Sequence, residues 1–450
     1  MYEIARFYAK NKSLNEFNKK TQIVQNFIKK FFYCYLCAFA RKYENRKFMK
    51  HFLKHSATKY ILLFAMLACS TSCQIQRSSR HVQQSFNLMR ANSQQIRVHN
   101  FTDTIDVRFH NGYIVVPVEI AGKTRQFILD TGAPFTFIFH SLAEELNYQG
   151  KKRFMHVSFP LCDNKNEMKR HPVSRIKEFS IGNIKFENIW VAENTKKRDS
   201  LMNLRVPCFN LYDGLLGSDL LGALSIKFDM KNSRIILSDN SLFSAENPEF
   251  RQPMGRSRSG LPYIYVSVQD ERYHALFDTG FPNWGFIGKR KQYRNEQLQC
   301  LNELVIGGIS MKNMPINFSE TRNFSLIGTT ILRHTIVVLD YKNNKLELIP
   351  YNNTRQIEFP ANFGFGFTTL PTENYKAVIT ELRENSPAER AGLQVDYQIK
   401  EVNGIFINDE SLCGMYGTFD LRELLAKAPT VKLLVVDLDG NEKEVVLTRE

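Results

Sequence analysis

The sequence predicts a mainly β protein with two related β-rich lobes, followed by a smaller domain that mixes strands with helix. Three observations support this fold class. Short blocks of sequence occur twice in the same order, and the blocks carry the alternating apolar and polar residues of strands. Near residue 360 the pattern changes to a glycine-rich turn with further strands and one helical stretch.

The first repeated block is a strand, a turn and a second strand. It runs from Val116–Ile120 to Gln126–Pro134, and its copy runs from Ile264–Val268 to His274–Pro282, 148 positions later throughout. Both copies alternate before the turn, as half-buried hairpins do.

Two further blocks follow in the same order. Ile181–Ile189 recurs as Ile306–Met314 after 125 positions, and Leu215–Gly217 recurs as Leu326–Gly328 after 111 positions. Three matches in one order indicate an internal duplication.

The falling offsets show that the first copy is longer by 37 residues, 23 of them before the second block. We expect this excess in the polar segment Lys151–His171. Two unequal lobes are therefore predicted, at residues 105–245 and 255–350.

The net charge of +15 does not indicate a nucleic-acid partner, because it is concentrated at the start of the chain. Residues 1–48 carry +8 and residues 49–73 add +3, which leaves +4 for everything after Cys73. A nearly balanced body gives no electrostatic case for binding nucleic acid. With 43% hydrophobic residues the chain can form buried cores.

Residues 49–73 have the pattern of a secretory signal, with a buried helix as the alternative. Three lysines precede the apolar run Tyr60–Ala68, which is too short to span a bilayer, and small residues precede Cys69 and Cys73. This resembles a bacterial lipoprotein signal, which implies a lipid anchor at one of the two cysteines. We expect a cell-envelope protein on the periplasmic side, with 1–48 a basic extension or a misassigned start and 74–104 a linker.

The remaining cysteines and the histidines point to no metal or other cofactor. The ten histidines show no metal-ligand spacing, and the pair Cys34 and Cys37 has no second pair nearby. In an oxidising compartment Cys162 and Cys208 could form a disulfide within the first lobe, although their spacing leaves this open.

The tripeptide Asp-Thr-Gly occurs in both copies of the first block, as Asp130-Thr131-Gly132 and Asp278-Thr279-Gly280. Each follows an apolar strand, and each has an apolar-apolar-glycine sequence downstream, ending at Gly217 and Gly328. This combination resembles the retropepsin and pepsin superfamily of aspartic proteases over about residues 105–350. The fold it implies is a bilobed pair of β-barrels.

Hydrolysis of a peptide by water explains why two aspartates are needed. One carboxylate accepts a proton from the water, and the other carboxyl, still protonated, polarises the peptide carbonyl. The resemblance implies that Asp130 and Asp278 are the catalytic pair and that the partner is a peptide or protein substrate. It also implies hydrogen bonds between Thr131 and Thr279 across the lobes, with the Gly217 and Gly328 loops packed beneath the aspartates.

Glycine at positions 132 and 280 is expected to let each loop turn tightly, so that its amide approaches the carboxylate. One departure is Phe281, which stands where the first copy has Ala133 and could crowd the aspartates or line a pocket. We expect the flap that closes over substrate in a hairpin within 151–175. A non-catalytic peptide-binding envelope protein is the alternative function.

Residues 360–449 resemble a bacterial PDZ domain, with residues 351–360 as a linker. The resemblance is carried by Phe363-Gly364-Phe365-Gly366-Phe367, by Ser386–Leu393 and by Asp396–Gly404. It implies that amides of the glycine-rich loop hold the C-terminal carboxylate of a peptide, which adds to the edge of a strand beginning at Phe367. A helix is expected at 418–427, beside that groove.

Overall fold

The computed structural model describes residues 83–92, 94–147, 153–157, 169–194, 199, 208–246, 248–268, 271–288, 298–319, 324–359, 363–370, 376–408, 411 and 421–449. All of them fall within one compact unit, Arg80–Glu450. Within these residues no helix has the length and apolar character needed to span a bilayer. The predicted signal segment, with Cys69 and Cys73, and the extension 1–48 lie outside the described residues.

Strands dominate the structure, which confirms the predicted mainly β fold class. In chain order they are β1 (Thr102–Asp106), β2 (Arg108–His110), β3 (Tyr113–Ile120), β4 (Lys123–Leu129), β5 (Phe137–Ile138), β6 (Arg153–Val157), β7 (Lys169–Ile181), β8 (Ile184–Glu193), β9 (Gly214–Leu216), β10 (Ser225–Asp229), β11 (Arg234–Ser238), β12 (Arg251–Pro253), β13 (Gly255–Arg256), β14 (Pro262–Val268), β15 (Glu271–Phe277), β16 (Gly285–Gly288), β17 (Leu298–Ile306), β18 (Ile309–Ser319), β19 (Ser325–Ile327), β20 (Thr335–Asp340), β21 (Lys345–Pro350), β22 (Gln356–Glu358), β23 (Phe365–Leu370), β24 (Lys376–Leu382), β25 (Gln398–Val402), β26 (Ile405–Phe406), β27 (Thr430–Val436) and β28 (Glu442–Thr448). The helices are α1 (83–92), α2 (His140–Glu145), α3 (Ser218–Leu221), α4 (Pro387–Arg390) and α5 (Leu421–Lys427).

Two eight-stranded sheets are built in the same way from the two copies of the repeat. The first has the order β2-β3-β4-β9-β5-β8-β7-β6, and the second has the order β13-β14-β15-β19-β16-β18-β17 with β22 beside β18. In the first sheet β4 runs parallel to β9, with Leu129 opposite Leu216. In the second, β15 runs parallel to β19, with Phe277 opposite Ile327.

The strands that lead to the two Asp-Thr-Gly sequences share one burial pattern. Both β4 and β15 begin with exposed residues and end with three consecutive buried residues. A continuous apolar end is typical of a strand that is covered on both faces. The aspartate that follows each strand is thereby placed at the edge of a packed core.

A third, six-stranded sheet contains strands from both copies, in the order β1-β11-β10-β20-β21-β12. At its centre β10 pairs antiparallel with β20, and Lys227 lies opposite Val338. Those two residues are counterparts at the 111-position offset of the repeat. One continuous hydrophobic core includes Ile226 and Phe228 of β10 together with residues of both eight-stranded sheets. An approximate two-fold axis relating the copies therefore passes through this pair.

The excess of the first copy contains a hairpin strand. β6 pairs antiparallel with β7, from Arg153 opposite Val173 to Val157 opposite Lys169. No strand corresponds to β6 between β16 and β17 within the residues that the structure describes. Two paired strands are thus present in the region 151–175, where sequence predicts the flap; residues 158–168 lie outside the described residues.

The predicted linker 74–104 is wrong for its described part. Residues 83–92 form α1, and Thr102 begins the edge strand β1 of the shared sheet. The Asn92 side chain is completely buried; its amide donates to the carbonyl oxygen of Trp190 at 2.7 Å and to the Asp219 carboxylate at 2.5 Å, and its oxygen accepts from the Trp190 amide at 2.7 Å. Sequence gave no signal for this contact, because its partners lie far along the chain.

The C-terminal sheet has the order β23-β24-β25-β27-β28, with β26 beside β25, and its own hydrophobic core. The predicted linker 351–360 contains a strand, because β22 pairs in parallel with β18 of the second sheet. Cys208, from the first copy of the repeat, packs in the C-terminal core with Phe363 and Leu421 and is disulfide-bonded. Cys162, the partner considered from the sequence, is outside the described residues.

Replacing Asn92 tests whether α1 is part of the folded unit. The Asn92→Ala variant leaves two backbone groups of Trp190 without this partner and removes one hydrogen bond of the buried Asp219 carboxyl, so we expect the free energy of unfolding to fall by about 2–4 kcal/mol. The measurement is chemical denaturation at pH 7.5. Asn87→Ala, an exposed position on the same helix, should change it by less than about 0.5 kcal/mol. Equal effects of both substitutions would contradict the assignment.

Candidate active site

The two aspartates are held in matching positions at the ends of β4 and β15. The amide of Asp130 donates to the carbonyl oxygen of Leu216 at 2.9 Å, and the amide of Asp278 donates to that of Ile327, also at 2.9 Å. Each aspartate is therefore fixed by the strand that carries the apolar-apolar-glycine sequence of its own copy.

Thr131 and Thr279 join the two loops by reciprocal hydrogen bonds. The amide of Thr131 donates to Oγ1 of Thr279 at 3.0 Å, and the amide of Thr279 donates to Oγ1 of Thr131 at 3.1 Å. The Thr131 hydroxyl donates to the carbonyl oxygen of Phe277 at 2.6 Å, and the Thr279 hydroxyl donates to that of Leu129 at 2.7 Å. Both threonines are fully buried, and each hydroxyl is used as donor and acceptor at once.

The glycines of the two loops serve a second purpose besides the expected one, which the amide of Gly280 fulfils by donating to the Asp278 carboxyl. Neither Gly132 nor Gly280 has a positive φ, so the backbone conformation does not require glycine. A Cβ on Gly132 would lie 2.2 Å from Cγ of Asp278, and a Cβ on Gly280 would lie 2.4 Å from Cγ of Asp130. Each glycine thus provides the space into which the carboxyl of the other copy fits.

The carboxyl groups accept hydrogen bonds from backbone amides and lie close to each other. Oδ1 of Asp130 accepts from the amide of Ala133 at 2.8 Å, and Oδ1 of Asp278 accepts from the amide of Gly280 at 2.9 Å. The two carboxyls also lie close enough to shift the pKa of one another. A hydrogen bond between them needs one carboxyl to be protonated, because two ionised carboxylates have no proton to share.

The buried environment raises the pKa of both carboxyls. Burial raises the pKa of Asp130 to about 6, against the lowering effect of its hydrogen bond with Asp278. Burial, together with the nearby charge of Asp130, raises the pKa of Asp278 well above its ordinary range. The two carboxyls therefore titrate as a pair, and burial keeps one proton on the pair to a higher pH than an exposed aspartate would hold it.

The loops that begin at Gly217 and Gly328 pack against the aspartate loops. A Cβ on Gly217 would lie 2.3 Å from the carbonyl carbon of Phe135, and one on Gly328 would lie 2.2 Å from the carbonyl oxygen of Asn283. Contact between these loops agrees with the expectation from sequence.

Two residues that the sequence argument missed follow these glycines. Ser218 donates through Oγ to the carbonyl oxygen of Thr131 at 2.8 Å, and Thr329 donates through Oγ1 to that of Gly112 at 2.7 Å. Both are hydroxyl residues at the 111-position offset, directly after the repeated glycine, and this is the signal that could have identified them.

Two apolar clusters, here called the first and second apolar walls, flank the aspartates at equivalent positions. The first wall consists of Tyr113, Val115, Ile128, Phe139, Phe209, Tyr212 and Leu215. The second wall consists of Leu261, Tyr263, Leu276, Phe281, Phe286, Phe324 and Leu326. Ile128 and Leu276, two positions before the aspartates, are counterparts at the 148-position offset. Burial, together with the charge of Asp278, raises the pKa of Tyr263, which places this wall beside the dyad.

Phe281 belongs to the second wall. Its ring meets that of Phe286 edge to face, with the centroids 6.1 Å apart. Of the two roles considered from the sequence, crowding the aspartates or lining a pocket, the packing favours the second.

The predicted peptide-binding residues lie on the C-terminal sheet. The strand starts at Phe365, two residues earlier than expected, so Gly366 pairs with Glu381 within the sheet. Phe363 is buried and Gly364 has a φ of 83°. β23, which contains Phe367, is at the edge of the sheet, and β24 is its one partner among the described strands.

A comparison with known proteins assigns part of this region. Residues 116–220 match the family model described as aspartyl protease. This part of the chain is an aspartic-protease-like domain. The match includes Asp130 and Gly217 and ends before Asp278.

The other comparisons add little to the domain assignment. No curated protein matches the sequence. The crystal structure of basic 7S globulin from soybean aligns with a TM-score of 0.37 at 9% identity, over 55% of this chain and 95% of the globulin. At that TM-score the likeness supports no conclusion about activity.

Substituting Gly132 tests the fit of this glycine beneath the opposite carboxyl. In Gly132→Ala the new methyl group would overlap Asp278, so we expect the free energy of unfolding to fall by about 1–3 kcal/mol. Thermal and denaturant unfolding provide the measurement. Gly255→Ala is the control, since its Cβ would find only ordinary contacts at 3.6 Å. A stable Gly132→Ala protein would show that the carboxyl of Asp278 is not held against Gly132.

Proposed function

We propose that this protein is a secreted aspartic endopeptidase in which Asp130 and Asp278 form one catalytic pair. The observation that carries the proposal is the pair of carboxyls at the junction of the two copies, with Asp278 buried and Asp130 partly exposed, fixed by the reciprocal bonds of Thr131 and Thr279. An arrangement with one proton shared by two carboxyls supplies an acid and a base in the same place. The family match over 116–220 supports the same reaction class.

The proposed reaction uses water as the nucleophile. The Asp130 carboxylate accepts a proton from a water molecule, whose oxygen attacks the peptide carbonyl, while the proton of Asp278 passes to the carbonyl oxygen. The tetrahedral intermediate then collapses, the proton on Asp130 moves to the leaving nitrogen, and Asp278 regains a proton from the intermediate. The C–N bond breaks and the pair returns to its starting state, without a covalent enzyme intermediate.

The apolar walls support a preference for apolar side chains on either side of the cleaved bond. Four members of the second wall, Leu261, Tyr263, Phe281 and Phe324, are only partly buried, so a substrate side chain can cover them. Burial of apolar surface would then contribute to substrate binding.

The proposed domain organisation has two catalytic lobes at 105–245 and 255–350 and a PDZ-like domain at 360–449. The hairpin of β6 and β7 is the proposed flap, because it belongs to the longer copy and pairs with the first sheet. The PDZ-like domain is proposed to bind peptide C-termini along β23 and so to recruit substrate or control its access. Cys208, which packs in the C-terminal core beside Phe363, supports a connection between the domain and the first lobe.

The location that we propose is the periplasmic side of the cell envelope, with a lipid anchor at Cys69 or Cys73. The disulfide bond of Cys208 supports an oxidising compartment, because such bonds are rare in reducing ones.

A non-catalytic peptide-binding protein is the second candidate. The first apolar wall favours this candidate. Phe209 and Tyr212 belong to the same buried cluster as Ile128, so the aromatic side chains of this wall are covered by the protein itself. A cleft closed on one side would leave the PDZ-like groove as the working site.

The first test compares peptide cleavage by the wild type with that by Asp130→Asn and Asp278→Asn. We expect either substitution to lower kcat/KM by about 10²–10⁴-fold, because each removes a proton donor or acceptor. In the wild type the rate should fall as the pH decreases through about 6, where Asp130 becomes protonated and no base remains. An apolar-rich peptide library sampled from pH 3 to 9 provides the substrates.

A control of folding accompanies this test, in the form of circular dichroism of all three proteins. An inactive wild type, or variants as active as the wild type, would exclude the protease and leave the non-catalytic binding protein. An optimum below about pH 4 would contradict the assignment of Asp130 as the base.

The second test addresses the PDZ-like domain in the inactive Asp278→Asn chain, so that no probe is cleaved. A fluorescent peptide with an apolar C-terminal residue and a free carboxylate should bind at least about tenfold more tightly than the same peptide with an amidated C-terminus. Fluorescence anisotropy gives both dissociation constants. Equal affinities would exclude carboxylate recognition at this groove and leave the cleavage proposal unaffected.

A further inference from the structure

A cavity of about 350 Å³ that is open to the surface lies where three parts of the chain meet. Its walls come from α1, from Ser218 and Asp219, and from the turn 256–260 of the second copy, with Asn344 at one side. Neither Asp130 nor Asp278 lines it. The cavity forms only where elements distant in sequence pack together, so its shape depends on the folded chain.

The cavity is lined by more positive than negative groups. Three arginines contribute to its walls, namely Arg90, Arg256 and Arg258. Asp219 is the one acidic residue among the lining residues, and both of its oxygens are already bonded, one to Thr136 and the other to Asn92. Burial raises the pKa of Asp219 to about 7, so part of its negative charge is lost at neutral pH.

Arg256 is held in place by neutral groups. Its Nη1 donates to the carbonyl oxygen of Tyr341 at 3.2 Å, and its guanidinium lies 5.1 Å from the centre of the Tyr341 ring. Gly222 leaves the space for this side chain, because a Cβ there would lie 2.6 Å from Nη2. Among the described residues no carboxylate pairs with Arg256; its side chain reaches the surface, and the partial burial beside Tyr341 lowers its pKa.

Arg258 is oriented in a similar way. Its guanidinium lies 4.7 Å from the centre of the Phe86 ring, and Nη2 donates to Oε1 of Gln83 at 2.6 Å. Here too no carboxylate partner occurs in the residues that the structure covers. A guanidinium carries five N–H donors in a plane. Both arginines are exposed, and the hydrogen bonds described above use few of their donors, so the other donors are open to a ligand.

The other lining groups define what else a ligand would meet. The hydroxyls of Ser257 and Ser259 are 2.9 Å apart, and both residues line the cavity. Phe86 and Met89 add an apolar side. Oriented arginines and hydroxyls beside apolar side chains suit an oxyanion attached to a short apolar group.

We propose that this cavity binds a small organic oxyanion, a carboxylate or a phosphate on a short apolar body, through Arg256 and Arg258. The bidentate geometry of guanidinium matches both oxyanions. The site is separate from the proposed catalytic pair, and Ser218 connects them, because it lines the cavity and its hydroxyl donates to the carbonyl oxygen of Thr131.

The test measures binding to the full chain at constant ionic strength, with hexanoate and hexyl phosphate as probes and chloride as the reference anion. We expect a saturable rise of the melting temperature with at least one probe, and isothermal titration calorimetry should give one site. Arg256→Gln and Arg258→Gln should each weaken binding at least about tenfold. Binding of hexanoate alone assigns a carboxylate ligand, and binding of hexyl phosphate alone assigns a phosphate ligand.

Two further variants keep the result interpretable. Arg272→Gln, at an arginine that lies 3.9 Å from the Tyr265 ring and does not line the cavity, should bind as the wild type does. Ser259→Asp places a carboxylate inside the cavity, so it should raise the melting temperature without any probe and abolish the response to probes. No saturable response with either probe, or responses unchanged in both Arg256→Gln and Arg258→Gln, would overturn the proposal.

Discussion

The reciprocal hydrogen bonds between Thr131 and Thr279 are the contact on which the rest of the structure depends. Each threonine is fixed by the other, and each adjoins a glycine that leaves room for the opposite carboxyl. The paired carboxyls therefore exist only when the two copies of the repeat are docked. The pairing of Lys227 with Val338 in the shared sheet places the same approximate two-fold axis at a second point. Sheet and threonines together fix the docking of the copies in position and in rotation.

This arrangement has a cost in stability that depends on pH. The folded-state pKa of Asp130 is raised to about 6 and that of Asp219 to about 7. A carboxyl whose pKa is raised on folding stabilises the fold fully below its ordinary value near pH 4, and this contribution is lost as the pH rises through the folded value. The ionised Asp130 that the proposed chemistry needs is thus the less stable form of the site. The threonine bonds and the surrounding core offset that cost.

The repeat made much of the fold predictable, because equal spacing of Asp130 and Asp278 relative to their strands reflects one structural unit used twice. The local turn does not explain why glycine follows each threonine. Glycine is needed there because a Cβ would overlap the aspartate carboxyl of the other copy, which the sequence of one loop cannot reveal. The contact of Asn92 with Asp219 and Trp190 was also beyond the sequence. It joins residues about a hundred positions apart, and a lone asparagine carries no periodic signal. Cys208 was considered as a partner within its own lobe, whereas its side chain packs in the C-terminal core.

The unequal copies have a consequence for the direction of a bound chain. A polypeptide has distinct ends, and in a cleft with perfect two-fold symmetry it would lie equally well in either direction. Here β6 has no counterpart among the described residues of the second copy, and the second apolar wall is open where the first is filled. The two directions then bury different surfaces, and a difference of about 1.4 kcal/mol suffices for a tenfold preference. In the proposed endopeptidase, this asymmetry would give a peptide across the aspartates one preferred direction.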